Sequence, residues 1–175
     1  MLPFFTELTR ALRTVGKQNF DKAVRRARGA REFGGTVYFI GNGGSAAIAS
    51  HMAIDWMNKG GFNTRDLNNP AALTCLANDY GYENVFVTQL GFIGPNDILI
   101  AISSSGASPN ILKAVKMVYD EGAAVIALSG FRANNPLHKG KAHEKFHVPS
   151  SNYAVVENAH MAILHAMLEE LRVRL

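Results

Sequence analysis

The segment GNGGSAAIASHMAID, residues 41–55, sets a histidine and a carboxylate four residues apart behind a pair of glycines. On a helix an i,i+4 pair shares one face, so His51 and Asp55 can act on the same atom. A second group of reactive side chains, Glu157, His160 and His165, lies near the C-terminus. Imidazole and carboxylate are ordinary zinc ligands and ordinary proton carriers. An i,i+4 pair is equally compatible with a simple surface contact. A lone helical histidine is more often structural, and His160 fits that description.

Two loops offer places for an anion. Gly41, Gly43 and Ala46 satisfy a loose G-x-G-x-x-G/A pattern, which raises a dinucleotide site as one reading. That reading needs an acidic residue at the end of the second strand, roughly 20 residues past the glycines. With the second strand placed at 71–76, the spacing exceeds thirty residues and disfavours a nicotinamide site. In the other loop Ser103, Ser104, Ser105 and Ser108 surround the start of a helix whose Pro109 suits a first-turn position. Free N–H groups and partial positive charge at a helix N-terminus attract anions, and serine hydroxyls add donors. No Walker lysine accompanies them, so the expected load is one phosphate monoester.

Hydrophobic patterning shows what must position these groups. Leu8, Leu12 and Val15, then Phe20, Val24 and Ala27, recur at helical spacing and predict two N-terminal helices. Strands are expected at 36–40, 71–76, 97–102, 123–128 and 144–148. Helices are expected at 44–58, about 82–91, from Ser108 to a stop at Gly122, and from Tyr153 to Arg172. Continuous apolar strands alternating with helices imply an α/β fold, a five-stranded parallel sheet covered on both faces. Ligands in such sheets sit beyond the carboxyl ends of the strands, where both loops fall.

The 175 residues, 47% of them hydrophobic, suit a single core, organised as a helical extension (1–34) and an α/β unit (35–175). Apolar runs fall far short of a membrane span. The N-terminus lacks the pattern of a signal peptide, and the one cysteine, Cys75, permits no intrachain disulfide. A cytoplasmic protein is expected. The net charge of +4 gathers in DKAVRRARGAREF, most simply a solvated helix face. No aromatic stacking positions or reading helix accompany it, so no nucleic-acid partner is expected.

The stretches GNGGSAAIASH, CLANDYGYENVF and DILIAISSSGASPNILKAVKMVYDEGAAVIALSG resemble the sugar isomerase (SIS) domain family, and most closely its phosphoheptose isomerase branch. The resemblance implies conversion of sedoheptulose 7-phosphate to D-glycero-D-manno-heptose 7-phosphate, a step toward lipopolysaccharide heptose. It places a divalent metal, usually described as zinc, on His51, Asp55, Glu157 and His165, with acid/base work at Asp55 and His165. It further implies that Asn42, Gly43, Gly44, Ser45 and the four serines hold the phosphate end. Asn78, Asp79 and Glu157 would contact the sugar, in a homotetramer with sites at subunit boundaries.

Several positions depart from that pattern. Asp55 stands for glutamate, Glu157 for glutamine, Lys59 for arginine and Ala154 for aspartate, and the 59–70 segment is short. Glu157 and His165 are eight residues apart, about 12 Å along one helix, so they share one ion only by reaching from opposite sides or from different chains. A non-catalytic phosphosugar-binding module, similar to the replication-initiator-associating members of the superfamily, is the alternative. The presence of His51, Asp55, Glu157 and His165 favours the enzyme.

Overall fold

Ile98–Ser103 is buried at every position, and Val125–Gly130 likewise, which is what a strand covered on both faces requires. The computed structural model describes residues 2–172. The chain begins with helices α1 (Pro3–Leu12) and α2 (Lys17–Glu32). There follow β1 (Thr36–Gly41), α3 (Gly44–Gly60), β2 (Asn63–Asp66) and α4 (Pro70–Tyr80). After a 3-10 turn at Tyr82–Asn84 come α5 (Val85–Gln89), β3 (Ile98–Ser103), α6 (Pro109–Asp120) and β4 (Ala124–Gly130). The chain then runs through α7 (Pro136–Lys139), β5 (Glu144–Val148) and α8 (Tyr153–Leu171).

The five strands are parallel in the order β2-β1-β3-β4-β5. Alternate β3 residues divide the core. Ile98, Ile100 and Ile102 pack with α2, α3 and α8, whereas Leu99 and Ala101 face α5 and α6. Chain connections from neighbouring β1 and β3 leave toward opposite sides, so a crevice opens beyond their carboxyl ends. Gly41 pairs with Ile102 there, which sets Asn42 beside Ser103.

The second strand differs from expectation. Residues 71–76 lie inside α4, not in the sheet. Asn69 caps that helix by accepting from the Ala72 N–H at 3.1 Å, and Pro70 fills the first turn. Leu73, Leu76 and Ala77, the residues that lean on the core, recur at helical spacing. The true β2, NTRD, is a short exposed edge strand with no apolar run to announce it.

The N-terminal stripe packs within its own chain. Leu8, Leu12 and Val15 are half-buried against the core of the same chain, with α1 lying on α8. Two cations of the basic α2 do structural work. Arg26 pairs with buried Glu144 at 2.9 Å, and Arg31 donates to the carbonyls of Gly60 and Leu171 that end α3 and α8. Among the described residues, no helix is long and apolar enough to cross a membrane.

Candidate active site

The crevice beyond β1 and β3 holds a small polar cavity of about 120 Å³ lined by Asn42, Ser45, Ser103, Ser104, Ser105, Ser108, Tyr153 and Glu157. Ser108 occupies the N-cap position of α6 with extended backbone, yet its side chain makes no capping bond. Its Oγ leans instead toward Ser103 Oγ, 3.5 Å away. A hydroxyl withheld from the cap remains free for a ligand beside the helix N-terminus. Among the described residues, buried Ser104 Oγ finds no hydrogen-bond partner, a cost that a bound anion would remove.

Asn42 is held in place by two side chains that sequence patterning did not single out. Asn42 and buried Asn110 exchange amide bonds at 2.9 and 3.0 Å, and the Tyr82 hydroxyl donates to Asn42 Oδ1 at 2.9 Å. The signal for Asn110 was faint: a polar residue on an otherwise apolar helix face one position after Pro109.

A second group lies farther along α3 and α8. Asp55 Oδ2 faces His51 Nε2 at 3.7 Å and His165 Nδ1 at 3.9 Å. The two imidazole rings meet edge to face with centroids 5.4 Å apart. Lys59 Nζ contacts the same carboxylate oxygen at 2.7 Å. Hydrogen bonding to Lys59 holds the Asp55 carboxyl below the usual carboxylate range against the opposing effect of burial, and both imidazoles pull the same way. Asp55 is therefore ionised at neutral pH.

The residues present fit a divalent metal. One ligand atom from each of His51, Asp55 and His165 lies within 4.8 Å of the others. Two imidazoles and a carboxylate leave an open position, the donor set of a catalytic zinc site. Lys59 competes for the carboxylate, but its side chain is 43% exposed and can swing into solvent at little cost.

Glu157 does not join this group. Its carboxylate lies against the first residue of α3, where a Cβ on Gly44 would collide with it, and it lines the serine cavity. The eight-residue spacing along α8 explains the separation within one chain. Asn78 and Asp79 stand outside the cavity, on the exposed last turn of α4. Asn78 donates to Asp79 at 2.9 Å, and Asp79 accepts from Cys75. His160 is fully buried, and its Nε2–H donates to the Ser129 carbonyl at 3.1 Å, which makes it a core residue.

The observed β2 ends at Asp66, close to where dinucleotide-binding folds place their ribose-binding acid, so spacing alone does not exclude such a site. Asp66 is bonded to the Ser50 hydroxyl on α3.

The SIS domain family model matches residues 3–130. The phosphoheptose isomerase of Solidesulfovibrio magneticus is 34% identical over 154 residues, 84% of this chain and 74% of that protein. The solved structure of phosphoheptose isomerase from Neisseria gonorrhoeae superposes with a TM-score of 0.87 at 30% identity, covering 95% of this chain and 94% of the other. That of a phosphoheptose isomerase from Francisella tularensis gives a TM-score of 0.87 at 28% identity, with 97% and 94% covered.

Proposed function

The chain belongs to the SIS domain family, and from that footing we propose that it is a phosphoheptose isomerase converting sedoheptulose 7-phosphate to the corresponding aldose. The carrying observation is a serine anion corner walled by Ser45 of α3 and Glu157 of α8, with a His/Asp group farther along those two helices. Ser45 and Asp55 are ten residues apart on α3, about 15 Å, and Glu157 and His165 are about 12 Å apart on α8. An extended seven-carbon sugar phosphate, built of single bonds of about 1.5 Å, spans roughly 10 Å from phosphorus to C1. Side-chain reach closes the remainder. A three- or five-carbon phosphate held at the same corner falls short.

The phosphate docks at Ser103, Ser104, Ser105 and Ser108, with Asn42, Ser45 and the Gly43-Gly44 turn on the other wall. Asp55, kept ionised by Lys59, takes a proton from C1 of the ketose. The released electron pair forms the C1–C2 double bond while the C2 oxygen gains a proton, giving an enediol. The proton returns to C2 and O1 gives up its own, which leaves an aldehyde at C1. His165, beside Asp55, carries the oxygen-bound proton. Glu157, an acceptor at the cavity wall, suits the sugar hydroxyls, as do Asn78 and Asp79 if α4 closes over the substrate. A divalent ion, in our reading zinc, would be held by His51, Asp55 and His165 and would polarise the substrate oxygen.

We further propose a homotetramer with sites at subunit boundaries. Ile54 and Met57 flank Asp55 on α3 and are 59% and 50% exposed, an apolar patch beside the reactive group that a second copy would cover. A neighbouring chain also offers a route by which Glu157 could reach a metal.

Offering the purified protein ketose phosphates of five, six and seven carbons and following aldose formation tests the assignment. Turnover should be best with seven carbons. Equal turnover across the series would contradict the length argument, and inertness toward all three would favour a binding module.

A further inference from the structure

We propose that Asn135 is a positioning residue for the phosphate corner, acting from behind the serine loop. The inference rests on the reading that this corner holds the substrate phosphate.

Asn135 lies in the loop between β4 and α7, far in sequence from the serines and only 5% exposed. Every polar atom of its side chain is engaged. Oδ1 accepts from the His138 N–H at 2.8 Å and so caps α7. Nδ2 donates to the carbonyls of Arg132 at 2.8 Å and Gly130 at 3.1 Å, and lies 3.3 Å from Ser129 Oγ. A buried amide with its bonds satisfied is fixed in orientation.

That fixed amide is the surface on which the serine loop rests. Gly106 turns the loop with φ +62°, a left-handed conformation that favours glycine, and a Cβ there would run into the Asn135 carboxamide. The loop is pinned on either side of this contact. The Gly130 N–H donates to the Ser104 carbonyl at 3.0 Å, and the Leu137 N–H donates to the Gly106 carbonyl at 2.9 Å. Both donors sit on segments that Asn135 ties together, since it bonds the Gly130 carbonyl and caps the helix containing Leu137. Asn135 thus sets the distance between the two pins. On the front of the loop, the Gly106 N–H reaches back to Ser103, through its carbonyl at 3.0 Å and its Oγ at 3.1 Å. A shift of Gly106 is therefore transmitted to a hydroxyl that lines the cavity. Anion recognition depends on several donors converging on one point, so small displacements cost affinity.

The role predicts an effect on binding rather than on chemistry, because the His51/Asp55/His165 group lies elsewhere on α3 and α8. The test is a comparison of wild type, Asn135→Ala, Asn135→Ser, Gly106→Ala and the double variant Gly106→Ala/Asn135→Ala. Each is assayed for KM and kcat with sedoheptulose 7-phosphate, for inhibition by inorganic phosphate, and for folding by circular dichroism. KM and the phosphate inhibition constant should rise together by roughly tenfold in each single variant, the equivalent of one lost hydrogen bond, with kcat changed less than about twofold. Removing the amide makes room for the extra methyl, so the double variant should lose less than the product of the two single losses. Should Asn135→Ala fail to fold, Gly106→Ala and Asn135→Ser carry the same test. Folded variants with unchanged KM and phosphate inhibition beside an active wild type would overturn the positioning role alone, as would a loss confined to kcat. Wild-type protein that neither turns over the sugar phosphate nor binds inorganic phosphate would overturn the functional reading and this role with it.

Discussion

Lys59 Nζ and Asp55 Oδ2 lie 2.7 Å apart, so the carboxylate proposed to serve both metal and substrate already has a cation of its own. A metal ion at the same oxygen must displace that ammonium or share with it, and two cations on one carboxylate oxygen repel. The pair is partly exposed, worth about 1 kcal/mol or less. Lys59→Met should therefore tighten zinc or manganese binding by up to about fivefold, read by competition with a chromophoric chelator. Unchanged or weaker metal affinity would show that the lysine does not compete.

Ser108 gives a second prediction. Its hydroxyl caps nothing in α6, so Ser108→Ala should leave the melting temperature nearly unchanged. Affinity for sugar phosphate should fall by about tenfold if the hydroxyl binds the phosphate. The opposite pattern, lost stability with intact affinity, would identify Ser108 as a structural cap.

Glu157 and Gly44 yield a third. A methyl on Gly44 collides with the Glu157 carboxylate, which must then swing away. Gly44→Ala should impair kcat/KM, and in Gly44→Ala/Glu157→Gln the two losses should not add, because both disturb one contact. Additive losses would place the two residues in separate roles.

Acid stability gives a fourth. Burial pushes the His160 imidazole down to about 4 from its ordinary 6.5. Between those values the unfolded chain binds more protons than the native one, so stability rises with pH through this window and is lost as pH falls from 6.5 toward 4. Ideally the loss reaches about 3 kcal/mol at pH 4 relative to neutral. His138 and His143, also pushed down chiefly by burial, add in the same direction. Urea titrations at pH 7 and pH 4.5 should show a smaller drop for a folded His160→Gln variant than for wild type. An equal drop in both proteins would remove His160 as a cause.

Much of this was legible in the residues, and for identifiable reasons. β3 and β4 are buried on both faces and so spell out as unbroken apolar runs, and the helices between them carry their own stops. β2 is an edge strand of four mostly exposed residues, and its polar sequence NTRD carries no such imprint. The apolar run at 71–76 looked like the missing strand, although Asn69 and Pro70 ahead of it already spelled a helix start. At the candidate site, the closeness of His51 to Asp55 and the clustering of the serines were readable because each is local to a loop or one helix turn. Glu157 was assigned with His165, and the fold leaves it two helical turns away at the glycine corner. Asn110, Tyr82 and Asn135 owe their roles to partners remote in sequence, which no spacing rule exposes.

Proton transfer between C1 and C2 of a seven-carbon sugar phosphate is visible by proton NMR when the reaction runs in heavy water. Purified protein given sedoheptulose 7-phosphate in D2O should produce the aldose phosphate with deuterium at C2, while Asp55→Asn and His165→Gln slow its appearance by about a hundredfold or more. Absence of aldose from the wild-type reaction, with and without added zinc, would rule out this isomerisation.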